Sequence, residues 1–216
     1  MPTLLHIDSS ASGEHSVTRM LTGAFAETWR ARGDDHTVVA RDLHEDPVPH
    51  LRTAAQHWPE HLRGGAEIPR AAATLQDRLI DEAISADVLV VGAPMYNYGM
   101  PSTLKTWLDL LHVPGRTAPF DTATQPLRGK PVIVVSARGG TDDDGAFEHV
   151  FGPLRLALGG GLGMELRTIG VRRTLASLLP ELGADLAAAE LSRATAEIRE
   201  IAAAIAAAPG AAPAIP

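Results

Sequence analysis

Apolar residues recur along this chain in two rhythms. Consecutive runs, Val88-Leu89-Val90-Val91 and Pro131-Val132-Ile133-Val134-Val135, read as strands buried on both faces, since a strand with one wet face alternates. Between them Leu104, Trp107, Leu108 and Leu111 follow at the three- and four-residue spacing of a helix with one packed stripe. Pro101 suits that helix's first position, and Pro114-Gly115 ends it. The same alternation starts earlier, with a strand at Thr3 to Asp8 and a helix carrying Val17, Met20, Leu21, Ala24 and Phe25. Val38, Val39 and Leu43 mark a short strand near a sheet edge, and Leu75, Leu79, Ile80 and Ala83 the helix before the Val88 strand. Later, Phe147, Val150, Leu154 and Leu158 predict a helix closed by Gly159-Gly160-Gly161, and Leu166, Ile169 and Val171 a final edge strand. From Glu181 to about Ala207 an alanine-rich helix is expected to pack through Leu186, Ile198, Ile201 and Ile205 until Pro209-Gly210 stops it. Strand and helix alternate about five times, which predicts an α/β fold: a doubly wound parallel sheet with helices on both faces. Such sheets take ligands outside the carboxyl ends of their strands.

One passage breaks the rhythm. From His44 to Pro69 the chain carries four prolines, several histidines and Trp58, so a loop or broken helices are expected. It contains His57-Trp58-Pro59-Glu60-His61, the spacing of an inverted zinc-peptidase motif. That chemistry needs both histidines on one helical face, and Pro59 obstructs the helix, so no metal is expected. His6, inside the first strand, reads as a packed or hydrogen-bonded residue rather than a ligand.

Composition narrows the function classes. At 216 residues the chain suits one domain, 1–208, with 209–216 as a flexible tail. The absence of cysteine excludes disulfides, thiolate metal sites and cysteine nucleophiles, and with no signal-like start a cytoplasmic location is expected. No apolar run is long enough to span a membrane, and a net charge of -7 without clustered Lys or Arg argues against a nucleic-acid surface.

Three loops at strand ends carry the candidate chemistry. The first, Ser9 to Thr18, leads into a helix whose leading amides and dipole favour a phosphate; Ser9, Ser16, Val17 and Thr18 are the candidate contacts. It has neither a Walker nor a dinucleotide spacing, and Ser16 is also an ordinary N-cap residue. The second, Pro94 to Gly99, follows the Val88 strand and contains Pro94, Met95, Tyr96, Asn97 and Tyr98; Tyr and Asn also serve ordinary turn chemistry. The third, Ser136-Ala137-Arg138-Gly139-Gly140, follows the neighbouring strand, where two glycines let backbone approach a flat ligand. Its position places it across one crevice from the second loop. Beyond it, Asp142 to Asp144 read as a solvated loop that discourages anionic substrates.

The segment Pro94-Met95-Tyr96-Asn97-Tyr98-Gly99-Met100-Pro101-Ser102-Thr103-Leu104-Lys105 closely resembles the flavin loop of the FMN-dependent NAD(P)H azoreductases, which also reduce quinones. The other two loops agree in order, although Ala137 replaces a usual serine. The resemblance implies a flavodoxin-like sheet of order 2-1-3-4-5, with FMN phosphate at Ser9 and Ser16 to Thr18 and the ring between Met95 to Tyr98 and Arg138 to Gly140. It further implies NADH or NADPH as donor, two-electron ping-pong reduction of quinones or azo compounds, a homodimer shaped partly by residues 44–69, and Phe120 as a pocket wall. It also implies a wider pocket, because the aromatic that relatives place near the second half of the glycine run is missing. No protein acid or nucleophile is expected, since the flavin carries the chemistry. A non-catalytic flavodoxin-type electron carrier is the rival reading. An acyl carrier protein phosphodiesterase is a weaker one, lacking a metal cluster or nucleophile triad.

Overall fold

A computed structural model describes residues 1–141 and 143–205. Five parallel strands, β1 (Thr3–Asp8), β2 (Thr37–Asp42), β3 (Val88–Gly92), β4 (Pro131–Ala137) and β5 (Glu165–Val171), form one sheet of order β2-β1-β3-β4-β5. This is the order expected above. Because side chains alternate across a strand, each apolar run feeds two cores. Leu5, Ile7, Leu89, Val91, Val132 and Val134 face α2 (Arg70–Ser85), α3 (Ser102–Leu111) and α4 (Glu148–Leu154), packing on Leu79, Trp107 and Val150. Leu4, Val88, Val90, Ile133 and Val135 face α1 (Val17–Arg30) and α5 (Ala184–Ala204), packing on Phe25, Trp29 and Ile198.

Several boundaries differ from the expectation. Pro101 precedes α3 as its capping residue instead of occupying its first turn. Gly159 to Gly161 do not close α4; they lie in a π-helical continuation, Arg155–Gly161. In α5 the buried stripe is Glu190, Ala194, Ile198 and Ala202; of the expected packing residues Ile198 is in the core and Ile201 and Ile205 pack against it, whereas Leu186 is 60% exposed. Small residues face inward there because α5 packs along α1, and Glu190 is buried by pairing with Arg172 Nε at 2.6 Å. The helix is also shorter than expected: a separate 3₁₀ turn, Pro180–Leu182, precedes it, and it ends at Ala204, where Ile205 is extended, before Pro209-Gly210 is reached. The tail 209–216 lies outside the described residues. Residues 44–69 form two short 3₁₀ turns, Ala54–His57 and Glu60–Leu62, separated by extended Trp58 and Pro59. His57 and His61 therefore sit on separate turns, and His61 Nε2 pairs with Asp121 at 2.5 Å. His6 Nε2 lies 3.2 Å from Asp8 Oδ2.

Lys130 is a buried cation at the start of β4. Its Nζ donates to the carbonyls of Ala83, Ile84 and Ala86 at the end of α2, where carbonyls lack intrahelical partners and the helix dipole is negative. Burial lowers the pKa of this ammonium, partly opposed by Asp87. Lys130→Met would orphan these carbonyls and should destabilise the fold by about 1–3 kcal/mol. Urea denaturation checks this, and an unchanged midpoint would show that the carbonyls find other partners.

Candidate active site

The first loop leaves β1, makes a 3₁₀ turn at Gly13–His15, and enters α1 with Ser16 as the extended N-cap. Ser16 Oγ accepts from Arg19 N at 3.2 Å and lies 3.0 Å from Thr18 Oγ1. The backbone amides of Val17 and Thr18, in the first turn, have no carbonyl four residues back within the helix. Hydroxyls and free amides thus gather at the positive end of α1, a donor set suited to phosphate.

This loop is held from below by side chains distant in sequence. Ser9 Oγ donates to the carbonyl of Gly92 at 2.6 Å, tying the end of β1 to the end of β3. Arg19 donates to the Ser10 carbonyl through Nε at 3.1 Å and Nη2 at 2.7 Å, and to both oxygens of Asp42 at 2.5 and 2.8 Å. Burial alone would raise the Asp42 pKa, but the Arg19 hydrogen bond and the amides of Glu45 and His44 outweigh it and bring it to about 2. Asp8 accepts from Thr22 Oγ1 at 2.8 Å and lies 3.8 Å from Arg19 Nη1.

The second loop is a tight hairpin. Tyr96 and Gly99 exchange backbone hydrogen bonds at 2.9 and 3.1 Å, and the two residues between them, Asn97 at φ 48° and Tyr98 at φ 64°, occupy the left-handed region. That is the two-residue turn geometry in which asparagine is favoured and tyrosine is strained. The Tyr96 hydroxyl accepts from Ala11 N at 2.8 Å and lies 3.1 Å from Ser10 Oγ, joining the first two loops. Met95 N donates to the Ala137 carbonyl at 2.9 Å, joining the second to the third.

The third loop carries a strap that follows β5. Arg173, at φ 61°, donates to the Gly140 carbonyl at 2.8 Å, and Thr174 and Leu175 donate to the carbonyls of Arg138 and Gly139 at 3.2 and 3.3 Å. A Cβ at Gly139 would lie 2.5 Å from Leu175 Cδ1, so the strap fills the space the glycine leaves on that side. Arg138 Nη1 pairs with Asp144 at 2.7 Å.

These loops enclose a cleft of about 670 Å³, within the usual range for a small-molecule site. Ser16, Val17 and Thr18 line one end, Pro94, Met95 and Tyr96 one wall, and Ala137, Arg138 and Gly139 the other. The remaining expected residues stand back from it. Ser9 and Ser136 are buried beneath the loops, and the Ser136 hydroxyl has no hydrogen-bond partner among the described residues. Asn97, Tyr98 and Gly140 lie outside the lining, Tyr98 being 68% exposed. Phe120 is also absent from the lining; it is 57% exposed and makes an edge contact with Trp58 at 6.0 Å.

The structure adds lining residues that motif reading missed: Ser10, Ser12 and His15 in the first loop, and Thr174, Leu175, Ser177 and Leu178 in the strap. The former lay inside a loop already singled out. The strap has no local signature, since its role arises from pairing with the third loop across β4 and β5. Among the described residues no group of three or more His, Asp or Glu side chains could hold a metal ion.

A family model described as flavodoxin-like fold matches residues 2–202. An FMN-dependent NADH:quinone oxidoreductase of Kineococcus radiotolerans is 49% identical, the alignment covering 94% of this chain and 99% of that protein. The chain belongs to this flavodoxin-like family of quinone oxidoreductases. A protein of the same name from Streptomyces avermitilis is 40% identical over 91% of this chain and 92% of its own length. Among solved structures, an azoreductase from Bacillus anthracis str. Sterne superposes with a TM-score of 0.77 at 21% identity, over 95% of this chain and 100% of the other. At that identity the superposition speaks for the fold. A further structure, an FMN-dependent NADH-azoreductase from Bacillus anthracis str. Ames Ancestor in complex with FMN, gives a TM-score of 0.75 at 22% identity, over 93% and 97% of the two chains.

Proposed function

We propose that this member of the family is an FMN-dependent NADH:quinone oxidoreductase that also reduces azo compounds. The observation that carries the reading is the near full-length identity to the Kineococcus protein of that name. The three-loop cleft at the switch between β1 and β3 fits the cofactor by its donor set and size. The first favours an enzyme over an electron carrier, and both favour a flavin protein over an acyl carrier protein phosphodiesterase.

Bound FMN would supply the redox chemistry, hydride acceptance from a nicotinamide and two-electron delivery to a quinone or azo acceptor. The chain supplies position. In this reading Ser16, Val17 and Thr18 bind the phosphate, with Ser9 holding their loop to β3. Pro94, Met95 and Tyr96 form one side of the ring site and Ala137, Arg138 and Gly139 the other. Asn97 and Tyr98 shape the hairpin behind the first of these walls, and Ser136 and Gly140 bracket the second. Donor and acceptor use one pocket in turn, which gives a ping-pong cycle.

The same reading treats residues 1–208 as one cytoplasmic flavin-binding domain that works as a homodimer. No helix among the described residues is long and apolar enough to cross a membrane. Support for a dimer comes from the apolar groove of about 650 Å³ that includes Trp58, Leu108 and Leu156, beside exposed Phe120.

Cofactor released by heat should run as FMN on chromatography, and NADH with a quinone should give parallel double-reciprocal plots. FAD, or no flavin after reconstitution, would overturn the assignment. Intersecting plots would overturn shared use of one pocket.

A further inference from the structure

The phosphate end of the cleft contains one ionisable side chain that the structure leaves uncommitted. His15 closes the 3₁₀ turn just before the N-cap of α1, is exposed, and lines the cleft with Ser12, Ser16 and Thr18. Its backbone N-H is used, donating to the Ser12 carbonyl at 3.0 Å, but its imidazole has no hydrogen-bonding or ionic partner among the described residues.

The other charges around it are spoken for or lie elsewhere. Arg19, on α1, is fully engaged with the Ser10 carbonyl and Asp42, with Asp8 on β1 close by and His6 paired to that same carboxylate. Arg138, on the third loop, lies at the ring end and is paired with Asp144. In the second loop Tyr96 lines the cleft and its hydroxyl accepts from Ala11 N, while Tyr98 stands outside the lining. The strap brings Thr174, Leu175, Ser177 and Leu178, none of them ionisable. Glu14, in the same turn as His15, is exposed and would repel a phosphate. Amides and hydroxyls can ligate a phosphate dianion, but they do not neutralise it.

We infer that His15, in its protonated form, is a further cofactor-binding residue that places a positive charge on the FMN phosphate and makes flavin affinity depend on pH near neutrality. Imidazole is the side chain whose charge changes in that range. The sign follows directly: the attraction is present at low pH and is lost as His15 deprotonates. The inference rests on the FMN reading above and concerns only this chain's own loop.

The test is FMN binding to the apoprotein, followed by quenching of flavin fluorescence at low ionic strength, for the parent, His15→Gln and His15→Arg. Free flavin phosphate itself gains charge above about pH 6, so the ratio of variant to parent dissociation constants is the quantity read. His15→Gln should bind FMN about fivefold more weakly at pH 6, the upper range for an exposed ion pair, and the ratio should approach one by about pH 8.5. His15→Arg should keep tight binding across the range. Riboflavin, which lacks the phosphate, should bind all three proteins alike. A ratio that is the same at both pH values, or an equal loss with riboflavin, would overturn the role of His15 while leaving the FMN assignment intact. Failure of parent and variants alike to bind FMN would overturn both.

Discussion

Arg19→Met should weaken FMN binding by more than about tenfold and lower fold stability by about 1–3 kcal/mol, the cost of leaving a partly buried acceptor without its donor. The side chain is the strut of the first loop. Its guanidinium joins Asp42 at the end of β2 to the Ser10 carbonyl, and with that carbonyl released the turn at Gly13–His15 loses its register with α1. Methionine preserves the aliphatic stem and removes only the fork, so packing loss is small. A second readout separates this clamp from a generic defect. Against burial, the Arg19 hydrogen bond and the loop amides hold the Asp42 pKa at about 2 in the folded protein, below an ordinary value of 3.8, so its contribution is complete above 3.8 and is lost as pH falls toward 2. In Arg19→Met that part of the acid sensitivity should shrink. Equilibrium unfolding between pH 2 and 5 would measure it, at approximate acid settings chosen around the two pKa values. An FMN dissociation constant and an acid profile both like the parent's would remove Arg19 from the site's support.

Gly92→Val should be the other severe substitution, although Gly92 touches no ligand in the proposed site. A Cβ there would stand 2.8 Å from Asp8 Oδ1 and 3.5 Å from both Thr18 Cβ and Thr22 Cγ2. The glycine therefore allows the first turn of α1 to lie directly against the end of β3, with Ser9 bonded to the Gly92 carbonyl. Valine would drive its branches into a carboxylate and a buried helix face, overpacking that costs about 1–3 kcal/mol or more. Because the displaced residues include Thr18, FMN affinity should fall at least about tenfold, on the scale where 1.4 kcal/mol is one decade. Gly92→Ala should show a smaller loss in the same direction. At Gly23, where an added Cβ meets nothing within 4 Å, alanine should leave flavin binding unchanged. Retention of parent-like affinity by Gly92→Val would mean that α1 can move without disturbing the phosphate end.

The legible part of this site was its three loops, each announced by a buried strand followed by small, polar or glycine-rich residues. Less legible was which members of each loop reach the cleft. Asn97 and Tyr98 sit in the most conspicuous motif, yet a left-handed turn carries them away from the lining, while Tyr96 beside them binds both cleft and neighbouring loop. Phe120 is a comparable case, since its ring meets Trp58 and not the cleft. In α5, Leu186 promised the packed side by its size, but the buried stripe is Glu190, Ala194, Ile198 and Ala202, with Glu190 paired to Arg172. Size and polarity predict burial only when the distance to the facing element is known.

By itself the sequence determined the element order, the parallel five-stranded sheet and the three strand-end loops that border the cleft. Those features are written in neighbouring residues, as runs of apolar side chains, helical periodicity, and proline or glycine punctuation. The tertiary structure alone decided how the loops are held. Ser9 meets Gly92 across 83 residues, Ala11 meets Tyr96 across 85, and Arg19 meets Asp42 across 23. It also decided that the strap after β5 would close the third loop and that His15 would face the cleft without a partner among the described residues. Each depends on which strand lies beside which, and on the distance left between them, quantities that no local stretch of sequence contains.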